Sequence, residues 1–270
     1  MRNIHKHIKL LVILALAAVG IVSCSDETQS VGDIKVTFIT HLPQESRAFG
    51  DAAQANTLWV AAYAKKGDTY VEIERKSTEM TNAASAVQFT LVKEQPYTFI
   101  FWAQNSECTV YDTEDLTAIV MGSHSNPITF EESEKCDAFY ATYEITTSNN
   151  AMEEIVLTRP LAQINVGTTG ESFPVSLTVE SAPTTFHPLT KSVSGSADYT
   201  WELEDSTTEK LSVGGTEYSY LAMGYLFASE SAISTTAELT ITSTGRTIAI
   251  DAVTLQSNNR CNILGNIIEN

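Results

Sequence analysis

Hydrophobic and polar positions alternate along most of the chain. Ile34-Lys35-Val36-Thr37-Phe38 puts every second side chain on one face. The runs Thr69–Ile73, Val87–Leu91, Val175–Val179, Glu238–Thr242 and Thr247–Ile250 repeat the habit. A period of two predicts strands with one face buried and the other solvated. Thr, Val, Ile, Tyr and Phe fill these runs, as a pleated surface favours. Leu58–Tyr63 and Tyr97–Trp102 are apolar throughout and predict central strands covered on both faces.

Turn residues separate the strands. Lys66-Gly67-Asp68 and Ser243-Thr244-Gly245-Arg246 read as hairpins, and Val213-Gly214-Gly215-Thr216 precedes a strand over Tyr218–Phe227. No long stretch has a period of 3.6, and Asp115–Met121 reads as one short helix. Short strands about every ten residues predict an all-β chain of β-sandwiches. Pro160 is compatible with an edge or a bulge but not with a central ladder position. It marks a boundary between an N-terminal domain, 48–158, and a C-terminal domain, 159–270.

The N-terminus departs from this pattern. Arg2, Lys6 and Lys9 precede the apolar run Leu10–Val22, and Ile21-Val22-Ser23-Cys24 follows the form of a lipobox. The apolar run is about 13 residues, short of the roughly 20 a membrane span requires. Residues 1–23 therefore read as a secretory signal peptide, with lipid on Cys24 holding the chain to a membrane. One acyl chain holds only marginally, so a two- or three-chain lipid is what makes the attachment stable. Ser25-Asp26-Glu27 is either a plain acidic linker or a surface-export signal, since it resembles the one on Bacteroidales lipoproteins.

Without residues 1–23 the chain carries 13 basic and 33 acidic residues, a net charge of −20. That excludes nucleic acid as a natural partner. Of the three remaining cysteines, Cys108 and Cys136 can close a bridge within the first half; otherwise all three, Cys261 included, are small buried residues. No spacing suits zinc, and no other metal or cofactor site is legible.

Catalytic signatures are missing. His41, His124 and His187 lack spaced acid or nucleophile partners, and His187 beside Pro188 is expected in a loop. The chain has no GxSxG, HExxH or phosphate-binding glycine loop. Glu131-Glu132 and Glu153-Glu154 read as solvated surface. The chain is therefore read as a non-enzyme. Trp59 and Trp102 lie in apolar runs and read as core. Trp201, followed by Glu202, Glu204 and Asp205, is either a strand core residue or an exposed platform for a sugar.

Several segments together carry a family resemblance. A strand after the lipobox leads to Ser46-Arg47-Ala48-Phe49-Gly50-Asp51 and then Asn56–Tyr63. Leu157-Thr158-Arg159-Pro160-Leu161-Ala162-Gln163-Ile164 stands midway, and Asn259–Ile268 near the end. In order and spacing the chain resembles the fimbrillins of Bacteroidales, the subunits of type V pili. The resemblance implies two tandem transthyretin-like β-sandwiches and a life as a surface-exposed outer-membrane lipoprotein. It further implies a lipidated propeptide over 24–47, removed by cleavage between Arg47 and Ala48, after which the subunit sits in a fimbrium and supports adhesion. The removed segment carries the strand Asp33–Thr40, with Ile34, Val36 and Phe38 as its inward face. A neighbouring subunit's strand fills the vacated slot. Other fimbrial subunits are thus the implied partners, alongside the membrane and a host or bacterial surface ligand. Two alternatives stand beside this: a surface lipoprotein that binds glycan or host protein without polymerising, and an uncleaved pilus anchor.

Overall fold

The computed structural model describes residues 32–43, 54–123, 128–146, 148–202 and 209–268. The first nine strands are β1 (Asp33–His41), β2 (Thr57–Lys66), β3 (Thr69–Glu79), β4 (Ala84–Val92), β5 (Pro96–Gln104), β6 (Tyr111–Asp112), β7 (Ile119–Met121), β8 (Ala138–Thr146) and β9 (Ala151–Val156). A single described helix, α1 (Phe130–Glu134), falls between β7 and β8. The remaining strands are β10 (Leu161–Thr168), β11 (Val175–Ala182), β12 (Thr185–His187), β13 (Ser192–Ser194), β14 (Ala197–Glu202), β15 (Lys210–Val213), β16 (Thr216–Phe227), β17 (Ile233–Ile241), β18 (Arg246–Leu255) and β19 (Arg260–Gly265).

Two sheets come from the first half, in the orders β4-β1-β9 and β3-β2-β5-β8. Two come from the second, β15-β16-β10-β19 and β14-β11-β17-β18. One arrangement recurs. β1 is antiparallel to β4 and parallel to β9, while β10 is antiparallel to β16 and parallel to β19. Hairpins fall where the turn residues stand. Gly67 at φ 63° and Gly245 at φ 68° supply the left-handed conformation that glycine adopts without steric cost.

The apolar runs of β2 and β5 have a direct cause. Leu58, Val60, Phe99 and Phe101 point to a core shared with β1, β4 and β9. Ala61, Tyr63, Ile100 and Trp102 point the other way, into a larger core with Tyr111, Phe186, Trp201 and Phe227. That second core crosses between the halves. So does a small sheet, β13-β12-β7-β6, in which Phe186 pairs with Ile119.

Two local expectations need correction. Asp115–Met121 is a turn leading into β7, because Ile119 and Met121 are buried on one side while Val120 faces out. The helix instead lies at Phe130–Glu134, where Thr129 and Glu132 form a capping box. His187 closes β12 rather than lying in a loop, and its Nε2 lies 2.8 Å from Ser194 Oγ.

Candidate functional site

The site with most structure behind it is the slot that β1 occupies. Its ladder to β4 runs from Asp33↔Val92 to His41↔Ala84, and its ladder to β9 from Val36↔Ala151 to His41↔Val156. Both edges of the strand are therefore paired. Asn150 Oδ1 also accepts from the backbone N–H of Lys35 at 2.8 Å. Alternation turns Ile34, Val36 and Phe38 inward, where all three are buried. The Phe38 ring lies 4.5 Å from Phe99, 5.2 Å from Phe101, 5.9 Å from Tyr143 and 6.3 Å from Phe89, centroid to centroid. Thr40, which the sequence reading did not place on this face, is the fourth inward residue and is fully buried.

Cys24, Arg47 and Ala48 lie outside the described residues. Cys108 and Cys136 are joined by a disulfide, with Cα atoms 5.2 Å apart. Cys261 on β19 is a half-buried free thiol, its pKa raised by burial. Because the bridge closes a loop with a sequence separation of 28, the double variant Cys108→Ala/Cys136→Ala is expected to lose about 3 kcal/mol of unfolding free energy. Urea unfolding measures this, and reduced wild-type chain should unfold like the variant.

Trp201 cannot be a surface platform. It is 0% exposed, on the inward face of β14, and stacks with Tyr199 at 6.3 Å. Its indole fills the space left by Gly224 on β16, where a Cβ would come within 2.5 Å of Trp201 Cε2. The paired acids also have structural roles. Glu132 caps α1, and Glu153 accepts from the Tyr143 hydroxyl at 2.8 Å. No cluster of three or more His, Cys, Asp or Glu suited to a metal occurs among the described residues.

One pair escaped the sequence reading. Arg159, 2% exposed, donates from Nε and Nη2 to the two carboxylate oxygens of Asp137, each at 2.6 Å. Nη1 donates to Asn258 Oδ1 at 3.1 Å, and the guanidinium lies 4.9 Å from the Phe139 ring centre. The signal available was an arginine set among Leu157, Pro160 and Leu161, where an unpaired charge is costly to bury.

Residues 27–270 match the model of a family described as a family of unknown function, DUF6562. The chain belongs to this family. None of the curated proteins matches the DUF6562 chain by sequence. Among solved structures it is similar to a candidate adhesin from Bacteroides thetaiotaomicron, with a TM-score of 0.55 at 11% identity, over 83% of this chain and 82% of that one. A candidate polysaccharide-binding protein from the same organism gives 0.54 at 14% identity, over 81% and 80%. The fimbrial anchor protein Mfa2 from Porphyromonas gingivalis gives 0.48 at 15% identity, over 80% and 82%. At these identities the first two likenesses establish a shared fold.

Proposed function

We propose that this chain is a fimbrial or adhesin-type subunit of the bacterial surface, exported as a lipoprotein on Cys24 and matured by cleavage between Arg47 and Ala48. Its body is read as two tandem transthyretin-like sandwiches, supported by the strand arrangement that recurs around β1 and β10. The candidate adhesin of like fold agrees with this role.

The observation that carries the reading is the placement of β1. It precedes Arg47 in sequence yet lies between β4 and β9, with Phe38 at the centre of an aromatic cluster. A cut after Arg47 leaves β1 attached only by non-covalent contacts. Its departure bares two rows of backbone hydrogen-bonding groups and an apolar groove, which an extended strand of a neighbouring subunit can fill. A head-to-tail contact of that kind builds a filament where it does not close on itself.

β19 occupies its own sheet, paired with β10 from Gln163↔Arg260 to Thr168↔Gly265. We therefore assign the chain the part of a strand acceptor that retains β19 in its own sheet. The glycan-binding alternative loses its motivating residue, since Trp201 lies in the core. Mass spectrometry of surface filaments tests the proposal. The expected mature N-terminus is Ala48; a lipidated Cys24 terminus in every pool rules out cleavage and favours the uncleaved anchor.

A further inference from the structure

The inward face of β1 has one chemical mismatch. Ile34, Val36 and Phe38 present only carbon to the groove, whereas Thr40 brings a hydroxyl. Thr40 Oγ1 is buried and has no hydrogen-bond partner among the described residues. Its register neighbours are Ser85 on β4 and Ile155 on β9. The Ser85 hydroxyl donates elsewhere, to Glu79 O at 3.0 Å and Thr78 Oγ1 at 3.3 Å. Ile155 offers no polar side-chain atom. Thr37, on the outer face, differs: its Oγ1 accepts from Gln88 Nε2 at 3.0 Å.

Buried hydroxyls are nearly always paired, so an orphan calls for an explanation. This one gives up water and gains nothing in return, and an apolar group of the same shape avoids that loss. Valine is such a group and suits a strand equally well.

We infer that Thr40 makes the slot discriminate between its resident strand and a partner's. The preferred occupant is an extended segment of another subunit with apolar side chains at four alternate positions, the last of them β-branched where β1 carries Thr40. This inference rests on the strand exchange proposed above. Preference between two occupants is a difference of affinities, and a defect in the resident strand supplies that difference before any contact of the newcomer is improved.

Peptides spanning Asp33–His41 test the idea on chain cleaved after Arg47 by an arginine-specific protease. The natural peptide, a Thr40→Val peptide and a Thr37→Val peptide each compete for the slot, and release of the resident strand is followed by mass spectrometry. The Thr40→Val peptide is expected to act at about tenfold lower concentration than the natural one, equivalent to about 1.4 kcal/mol. The Thr37→Val peptide should gain nothing. Equal potency of the natural and Thr40→Val peptides, or an equal gain from Thr37→Val, overturns the inference and leaves the exchange intact. Displacement by none of them refutes the exchange and this role with it. The uncleaved chain carrying Thr40→Val gives a separate readout. Its urea midpoint should rise, and an unchanged or lower midpoint overturns the mismatch whatever the peptides do.

Discussion

Arg159→Met is expected to lower the unfolding free energy by about 3–5 kcal/mol, because it strands a buried carboxylate. Methionine keeps most of the apolar stem of arginine, so the loss reports on charge more than on volume. Both carboxylate oxygens of Asp137 accept from Arg159. Burial pushes the Asp137 carboxyl above its usual range, while Arg159 pulls it down. Without the arginine the upward push of burial is opposed only by the hydrogen bond from the Ala138 backbone N–H. A folded-state value above the unfolded one means that the folded chain binds the proton more tightly. The variant's deficit should therefore be largest at alkaline pH and shrink as pH falls through the folded-state value. Urea unfolding at pH 8 and pH 5 makes the comparison. Adding Asp137→Leu should recover most of the loss, since an apolar pair can replace a buried ion pair at little cost. A deficit that is equal at both pH values and resists Asp137→Leu would assign Arg159 to packing instead.

The same pair shows where a sequence stops being readable. Ile34, Val36 and Phe38 were legible because alternation is local: five residues suffice to display a buried face. β2 and β5 were legible because sheets cover both of their faces, which leaves no polar position. Arg159 and Asp137 are 22 residues apart, and nothing in either neighbourhood names the other. Trp201 stayed open between core and platform for a related reason. Its flanking acids suggested solvent, but its burial depends on Gly224 of another strand having no side chain. The helix α1 has five residues, too few to show a period of 3.6, and β7 has three, too few to show a period of two. The pairing of β7 with β12 joins segments more than sixty residues apart in sequence, beyond the reach of any local pattern. Thr40 was overlooked because threonine is common in strands; only its lack of a hydrogen-bond partner among the described residues sets it apart.

Phe38→Ala is expected to cost the uncleaved chain about 3–5 kcal/mol, the usual penalty for emptying a buried aromatic site. Four aromatic rings have centroids within 6.3 Å of Phe38, so the vacated volume has many walls and cannot collapse from one side. Edge-to-face contacts with Phe89, Phe101 and Tyr143 disappear along with the buried area. Urea unfolding of the full chain measures this cost. The proposed exchange adds a contrast that a purely structural role for β1 cannot produce. If a neighbour's strand replaces β1, Phe38 is absent from the assembled subunit. Filaments that incorporate the variant should then match those that incorporate the wild-type chain in thermal stability, while the variant precursor stays weakened. Release of the resident strand after cleavage at Arg47 should also be faster, because the departing segment has lost its largest inward side chain. Equal weakening of precursor and filament would mean that β1 remains in its slot after assembly, and the accepted strand would have to be sought at another edge.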